Sequence, residues 1–272
     1  VSPRPDATPV TIAPTTPPWR LAGRARRREC ERLAREELGV EPLAVLPVAV
    51  PEAGLDGVVV ILDQQAQAGS RGGHRVHLHG MLLSEDVPGL LPDWAFFARA
   101  VVDATRLTPT ASREGLREDE LHETVRTSLG GQIRRWILRL AATDPARINR
   151  FLAVHSVAAK SMALGDDELF ETLLPVLRFE TNTGEATLPE LAERTDVIRV
   201  ARTVDDYRQM AAVGAAQGID VLNGGYVYDA ELALRAPRVL PGLRAEPLSP
   251  RDLDAHIRAV PEERLCAARP AL

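Results

Sequence analysis

Three histidines lie close enough together in the sequence to suggest a metal site. His74, His77 and His79 have the spacing HxxHxH. On a β-strand, His77 and His79 would share a face, and two imidazoles at that spacing can bind a metal ion. His74 would point to the opposite face, and no cysteine or carboxylate nearby completes a ligand set. We therefore expect half-exposed strand positions here and no metal site.

The two cysteines are the other candidates for reactive chemistry. Cys30 lies among arginines, whose charge would favour a thiolate if the sulfur were exposed. A catalytic cysteine also needs a histidine and an orienting partner, and no motif places them. Cys266, near the end of the sequence, is a weaker candidate. No CxxC is present, so neither a zinc ribbon nor a disulfide framework is expected. We interpret Cys30 as a half-buried structural cysteine.

Nucleotide-binding loops are missing from the sequence. It contains neither GxxxxGK[ST] nor a GxGxxG that follows a strand, so the chain alone should have no ATPase activity. Asn223-Gly224-Gly225 ends a predicted strand and could line a ligand crevice at its carboxyl end. A strand-to-helix turn that needs positive φ would explain the two glycines equally well.

Composition narrows the class of protein. The 272 residues have a net charge of -5, with 45% hydrophobic and 26% charged residues, as in soluble globular proteins. Lys160 is the only lysine among 33 basic residues, which we interpret as compositional bias. Acidic residues interrupt the arginines of residues 20–35, and stacking aromatics are missing there, so no nucleic-acid partner is expected.

Targeting signals and membrane spans are also missing from the pattern. No apolar run reaches the roughly 18 residues that a membrane span needs, and no basic-then-apolar signal opens the sequence. We expect no membrane partner and a cytoplasmic location. The sequence begins with Val1, which suggests a fragment or a processed product.

Hydrophobic periodicity predicts a mixture of helices and strands. The segment GVVVIL at 57–62 is a continuous apolar run, typical of a strand covered on both faces. Gly39 lies where a glycine would end the helix before it, and Asp144-Pro145 should begin a new helix. The remaining predicted strands are 45–50, 74–83, 197–201 and 219–222. Helices are predicted at 24–38, 113–142 (interrupted at Gly130-Gly131), from 144, at 166–179 (kinked or ended by Pro175), 205–217 and 229–234, with a short helix or turn at 91–102.

These elements predict an α/β (α+β) protein with two lobes. The proline-rich residues 1–18 are predicted to be a linker. A large α/β lobe follows at 19–112, a helical connector at 113–180, a smaller α/β lobe at 181–248 and a tail at 249–272.

One stretch carries a family resemblance. Residues 83–114 read LSEDVPGLLPDWAFFARAVVDATRLTPTASRE. This order resembles the acidic turn, LLPxW, GVVD, LPLN and SRE of the middle segment of Hsp90 and bacterial HtpG chaperones. Weaker similarity covers Pro18-Trp19, residues 174–191 and residues 197–203, so that the resemblance spans roughly 17–235. The family's N-terminal nucleotide domain has no counterpart here, and we find no convincing match to its C-terminal dimerisation domain.

The resemblance implies a fold and a function. The fold would have a larger α/β/α sandwich lobe of the ribosomal protein S5 domain 2 type, a helical connector and a smaller α/β lobe. The chain would be the middle segment of an ATP-dependent chaperone, with ATP and Mg bound by a separate N-terminal domain. Unfolded client proteins, that N-terminal domain and a second copy of the full-length protein would be its partners. Trp19, after two prolines, is the aromatic that we expect to contact clients.

The same resemblance implies roles for the residues around Arg113. The arginine of SRE, here Arg113, would reach the γ-phosphate of ATP. Ser112 and Glu114 would shape the loop, with Thr110 and Arg117 at two further family positions. On residue chemistry alone, Ser112 could simply cap a helix that has Glu114 in its first turn, and Arg117 could pair with Glu120 or Glu114.

Several family positions differ in this chain. Thr110 replaces an asparagine, Arg117 a glutamine, His79 and Gly80 a basic pair, and Leu82 an aromatic residue. The chain would therefore be a divergent member with altered ATPase coupling. Alternatives are the transducer domain of another GHKL-type ATPase, an interaction module without ATPase coupling, and a separate enzyme that uses His77/His79 or Cys30. A transducer would need a lysine at the phosphate, and Lys160 lies well past the loop.

Overall fold

The computed structural model describes residues 16–66 and 73–248. Predictions for most of the N-terminal linker, for the C-terminal tail and for Cys266 lie outside these residues. The chain divides into two compact units, Val1–Ile133 and Arg134–Leu272. The division falls within one helix, and the lobe boundaries at 112 and 180 stay predictions.

The first unit is built on a five-stranded mixed sheet. Its strand order is β1-β2-β5-β3-β4, with β3 parallel to β5 and the other pairs antiparallel. The strands are β1 (Pro42–Val50), β2 (Leu55–Leu62), β3 (Arg75–Leu78), β4 (Met81–Ser84) and β5 (Ala98–Ala104), and the helix α1 (Gly23–Glu37) precedes them. Short 3-10 helices cover Pro18–Arg20, Pro51–Ala53 and Asp93–Ala95.

The strand β2 is buried on both faces, as its apolar run predicts. Val58 and Val60 pack with Cys30, Leu33 and Ala34 of α1. Side chains alternate along a strand, so Val59 and Ile61 point to the other face. All four β2 side chains are 0% exposed. This burial of apolar area holds α1 and the sheet together.

The predicted strand over 74–83 is wrong, because the segment is a hairpin. Its two halves are β3 and β4, joined by His79 (φ 53°) and Gly80 (φ 78°). Two successive positive φ values are what a type I′ hairpin turn requires. The alternation of apolar side chains continues through the turn, so periodicity alone did not show it.

Two further boundaries differ from prediction. The helix or turn expected over 91–102 ends early, because β5 begins at Ala98 and pairs with β2 and β3. The helix expected from 113 begins at Glu120. At β5, pairing with distant strands outweighs local sequence preference. Before Glu120, hydrogen bonds within the loop, such as Arg117 N–H to the Thr108 carbonyl, replace the predicted helical turns.

The second unit has a second five-stranded sheet with helices around it. The strand order is β10-β8-β9-β6-β7, and β8–α6–β9 is a parallel crossover unit. Its strands are β6 (Arg178–Thr181), β7 (Gly184–Thr187), β8 (Val197–Ala201), β9 (Val221–Asn223) and β10 (Arg244–Pro247). The helices are α2 (Glu120–Thr143), which crosses the division, then α3 (Pro145–Gly165), α4 (Asp167–Leu173), α5 (Leu188–Ala192), α6 (Val204–Gln217) and α7 (Asp229–Leu234), with 3-10 turns at Leu174–Val176 and Ala236–Arg238.

Two aspartates cap the helices α3 and α4 of this unit. Asp144 accepts a hydrogen bond from the N–H of Arg147, and Pro145 takes the first helical position of α3, as predicted. Asp166 caps α4 by accepting the N–H of Leu169. Its carboxylate also accepts hydrogen bonds from Nε and Nη2 of Arg134. The Arg134 guanidinium lowers the pKa of the Asp166 carboxyl. The helix α4 ends before Pro175, so the predicted stop is confirmed while the predicted helix over 166–179 is too long.

The helix α2 continues through Gly130-Gly131, where we predicted an interruption. A Cβ on Gly130 would lie 2.7 Å from Pro92 and 3.3 Å from Trp94. A glycine here therefore permits close packing and does not break the helix. Since helical hydrogen bonding satisfies the backbone, the intrinsic cost of glycine, about 1 kcal/mol, is tolerated.

Substituting Gly130 by alanine should destabilise the protein although alanine favours helix. We expect Gly130→Ala to lower the free energy of unfolding by about 1–2 kcal/mol, because overpacking against Pro92 exceeds the gain in helix propensity. Gly165→Ala is the matched control, since a Cβ at the last residue of α3 meets nothing within 4 Å. Urea unfolding of both variants measures the difference. A Gly130→Ala protein as stable as the control would contradict the packing argument.

Candidate functional site

The segment between β5 and α2, residues 105–119, is called here the Arg113 loop. Three backbone contacts fold its centre into a short hairpin. Thr110 donates its N–H to the carbonyl of Gly115 at 2.9 Å, Arg117 donates to Thr108 at 2.8 Å, and Pro109 bridges to Leu116. Leu116 is 7% exposed and fixes the base of the hairpin. The tip, residues 111–114, is exposed to solvent.

Side chains in the loop support this tip. The Thr110 hydroxyl accepts the N–H of Gly115 at 3.3 Å and lies 3.2 Å from the hydroxyl of Ser112. The N–H of Arg113 donates to the Thr110 carbonyl at 3.0 Å. Thr110 therefore connects both sides of the turn, and Ser112 joins the same small network.

Arg113 has an unusual backbone and a free side chain. Its φ is 58°, in the left-handed region, which costs a non-glycine residue roughly 1 kcal/mol. The side chain is exposed and forms no ion pair or side-chain hydrogen bond with the part of the chain that the structure describes. By contrast, Arg20, Arg27 and Arg32 are all paired with carboxylates. A guanidinium presented in this way can bind an anion on a partner.

The alternative in which Ser112 caps a helix is wrong. The helix α2 begins at Glu120, and the carboxylate of Asp119 accepts the N–H of His122 at 3.0 Å. Glu114 lies in the exposed tip and so cannot act on a first helical turn. The predicted pairing of Arg117 with Glu120 or Glu114 does not form among the described residues.

The β3–β4 turn is attached to the strand that leads into the Arg113 loop. Gly80 donates its N–H to the Asp103 carboxylate at 2.9 Å, and His79 donates its N–H to the carbonyl of Ala104 at 3.0 Å. Just beyond this turn, Met81 is 72% exposed and Leu82 is 44% exposed. The end of β5 thus brings an exposed apolar pair and the arginine loop to one end of the first sheet.

The three histidines do not form a metal site. His74 is buried, and its Nδ1 accepts the N–H of Ala100 at 3.3 Å. His77 contacts the Val102 carbonyl, while His79 lies in the turn and no longer shares a strand face with His77. Across residues 16–66 and 73–248, no cluster of three His, Cys, Asp or Glu side chains could hold a metal ion.

Cys30 is a structural residue. Its side chain is 1% exposed, within the α1 contact with the sheet. Burial raises the pKa of its thiol to about 11 and outweighs the opposing effect of Arg26. The sulfur is therefore protonated at neutral pH and is enclosed more completely than the half-buried position that we predicted.

Trp19 packs partly against the same core. It contacts the cluster that contains Cys30, Leu33 and Val60, and its indole N–H is buried without a hydrogen-bond partner in the described part of the chain. Client contact by Trp19 stays a prediction. Trp94 and Trp136 are partly buried and contact Phe97 and Phe151 respectively.

The glycines after β9 are required by close packing. The alternative explanation, a turn that needs positive φ at Gly224 and Gly225, is wrong, since neither glycine has one. A Cβ on Gly224 would lie 2.5 Å from the carbonyl oxygen of Ala201, and one on Gly225 would lie 2.2 Å from the nitrogen of Val204. The side chain of Asn223 turns inward, donating to Glu180 at 2.8 Å and accepting from Gly225. This strand end is filled by the protein's own groups.

Lys160 is unable to act as a phosphate-binding lysine in this conformation. Its side chain is 11% exposed, and its ammonium donates to Asp229 at 2.8 Å. This disfavours the transducer alternative, which needs an available lysine.

Comparisons with known proteins converge on one group of chaperones. The chain is 27% identical over 124 residues to the mitochondrial TNF receptor-associated protein 1 homolog of Dictyostelium discoideum, covering 46% of this chain and 17% of that protein. It is 28% identical over 166 residues to the chaperone protein HtpG of Chlorobium luteolum, covering 57% of this chain and 27% of that protein. The chain thus matches about a quarter or less of these relatives' lengths. No protein-family model matches it.

A solved structure extends the similarity to most of the chain. The middle domain of a Plasmodium falciparum heat shock protein superposes with a TM-score of 0.56 at 13% identity, covering 85% of this chain and 98% of that one. The predicted mixed α/β fold and the resemblance to the Hsp90/HtpG middle segment are confirmed by these similarities. Among the helices of the described residues, none has the length and apolarity to cross a membrane.

Acidification should destabilise the fold through His74. Burial, followed by the charge of Arg99, lowers the pKa of His74 to about 4. A group with a lowered pKa in the folded state binds its proton more readily when unfolded, so its stabilising effect is present above pH 6.5 and is lost as the pH falls toward 4. Between pH 7 and pH 5 the loss should be about 2 kcal/mol.

The variant His74→Asn isolates this effect. Its amide oxygen can still accept the N–H of Ala100, but the side chain does not titrate. Urea unfolding at pH 7 and pH 5 should show a smaller decrease in stability for His74→Asn than for the unsubstituted protein. Equal decreases would show that His74 is not responsible.

Proposed function

We propose that this chain, a relative of the Hsp90/HtpG chaperones that matches their middle segment, is the middle segment of an ATP-dependent chaperone and supplies Arg113 to an ATPase site on another domain. The guanidinium at the tip of the Arg113 loop, exposed and without an ion pair among residues 16–66 and 73–248, is the observation that carries this proposal. Arginine stays charged and offers a planar set of donors to phosphate oxygens.

The loop geometry suits a contact with a separate domain. The Thr110 network fixes the loop backbone, so that only the side chain of Arg113 has to be ordered when it binds. Its left-handed φ costs roughly 1 kcal/mol, which the hydrogen bonds of the loop must offset. A positioned arginine is worth on the order of 10³–10⁵ in rate in other phosphoryl-transfer enzymes.

ATP and magnesium would be held by the other domain. When bound there, ATP supplies the γ-phosphoryl group and magnesium neutralises charge on the phosphates. The residues of this chain fit the accessory part of that chemistry, because Arg113 and nearby Arg117 are exposed and form no ion pair among the described residues. Arg117, where the family has a glutamine, would add positive charge four residues further along the same loop.

The hairpin next to the loop would help the other domain to dock. Met81 and Leu82 are exposed apolar side chains beside a turn that is hydrogen-bonded to the end of β5. A surface that combines exposed apolar groups with the Arg113 and Arg117 guanidinium groups fits an interface with an anionic site on the other domain. Client binding on both lobes, dimerisation of the full-length protein and a cytoplasmic location follow from the same family relation and remain parts of the proposal.

A second candidate is an interaction module that has lost ATPase coupling. Three departures from the family pattern favour it: Thr110, Arg117 and Leu82. Thr110, however, still bonds across the turn, as a side chain at that position must do to hold the tip. Measurement of ATP turnover separates the two candidates.

The Arg113 role predicts a large loss of turnover on substitution. In the longest natural chain that contains this segment, Arg113→Gly should reduce ATP hydrolysis on the order of 10³-fold with nucleotide affinity unchanged. Glycine accepts the left-handed backbone, so the loop should keep its shape. Arg113→Lys should recover only part of the rate, since an ammonium lacks the planar fork.

The control is Arg24→Gln. Arg24 is exposed on α1 and has no ion pair within the described residues, so this change also removes one free cation. It should leave turnover unchanged. Equal turnover in Arg113→Gly and the unsubstituted protein would refute the catalytic role and favour the interaction module.

The docking role of the hairpin makes a separate prediction. Leu82→Ser in the same long chain should lower turnover about tenfold, because an interface would lose roughly 1.5 kcal/mol of apolar burial. Val213→Ser is the matched control, since Val213 is 40% exposed on α6 in the second unit. If both variants hydrolyse ATP at the unsubstituted rate, Leu82 does not contribute to docking.

A further inference from the structure

The second unit encloses the only lysine of the chain. All other basic residues are arginines, 33 basic residues in total. Lys160 lies on α3, and its ammonium is 2.8 Å from each oxygen of the Asp229 carboxylate. The side chains are 11% and 1% exposed, respectively. The pair joins α3 to the first residue of α7.

An aromatic ring covers the ammonium from another side. The Lys160 nitrogen lies 4.8 Å from the centroid of Phe179 on β6, a cation–π contact. Burial raises the pKa of the Asp229 carboxyl, and the Lys160 ammonium opposes that rise. Each of the two buried charges needs the other as its counter-charge, since an unpaired buried charge is costly.

We propose that Lys160 is a modification site that acyl donors reach only when the second unit opens, and that the resulting amide prevents the unit from closing again. Acylation requires the neutral amine and an unobstructed approach. In the closed unit, Asp229 and Phe179 occupy the surroundings of the nitrogen and obstruct that approach.

The chemistry balances with a simple acyl donor such as a thioester or an activated ester. The ammonium releases a proton to solvent once exposed, and the amine lone pair attacks the carbonyl carbon. A C–N bond forms, the bond to the leaving group breaks, and the leaving group departs with that electron pair. A second proton from nitrogen completes the neutral amide.

The amide would then oppose refolding of the pair. It carries no charge and adds bulk beside Phe179. Asp229 would be returned to a 1% exposed site without its counter-charge. No other side chain carries a primary amine, so acylation mapped to Lys160 would report the opening of this one unit.

Acetylation kinetics test the first half of the proposal. The chain is treated with the N-hydroxysuccinimide ester of acetic acid under native conditions, and peptides are quantified by mass spectrometry. Arg208→Lys supplies an internal reference, because the Arg208 side chain is 74% exposed on α6. Lys160 should react at least about 100-fold more slowly than the introduced amine, in proportion to the rarity of local opening. If the two acetylation rates lie within about threefold of one another, Lys160 is not protected in the closed unit and the proposal is overturned.

Refolding tests the second half. The chain is acetylated in urea, returned to buffer and compared with a mock-treated sample by urea unfolding. The acetylated chain should have a clearly lower midpoint. Lys160→Arg given both treatments measures any effect of acetylation elsewhere, and its two midpoints should agree. An unchanged midpoint in the acetylated unsubstituted chain would show that the amide is tolerated and would overturn the proposed block.

Discussion

The antiparallel pairing of β2 with β5 is the constraint on which the first unit depends. The strand β2 is buried against α1 on one face and by other apolar groups on the opposite face, so its position in the sheet is fixed by desolvation. A one-residue slip would turn Val58 and Val60 away from α1. With β5 fixed in register beside it, Asp103 and Ala104 lie at a defined sheet end. Both the β3–β4 turn and the Arg113 loop start from that end.

The basic side chains of the chain fall into three physical situations. Many exposed arginines, such as Arg27 and Arg32, pair with nearby carboxylates on the solvated surface. Lys160 is enclosed with Asp229. Arg113 is exposed and unpaired among the described residues, on a backbone that few arginines adopt. Local environment distinguishes these cations more clearly than their number does.

In the second unit, the protein's own polar side chains and backbone occupy the strand end after β9. Asn223 satisfies Glu180 and Gly225, while the two glycines after β9 allow the neighbouring chain to approach closely. The strand end that could have been a ligand crevice is therefore occupied. This leaves the Arg113 loop of the first unit as the strongest candidate site, and it explains why that loop, although short, carries the functional proposal.

The sequence by itself determined the elements whose side chains repeat with a clear period and the family resemblance carried by residues 83–114. The helix α1, the buried strand β2 and the cap at Asp144 follow from local pattern, because apolar periodicity and a capping residue are both visible within a short stretch of sequence. Tertiary structure decided the turn at His79-Gly80, the start of α2 at Glu120 and the left-handed φ of Arg113. It also decided the enclosure of Lys160 by Asp229 and Phe179. These features depend on a strand pairing, on hydrogen bonds within a loop or on an ion pair, none of which appears in the periodicity of the sequence.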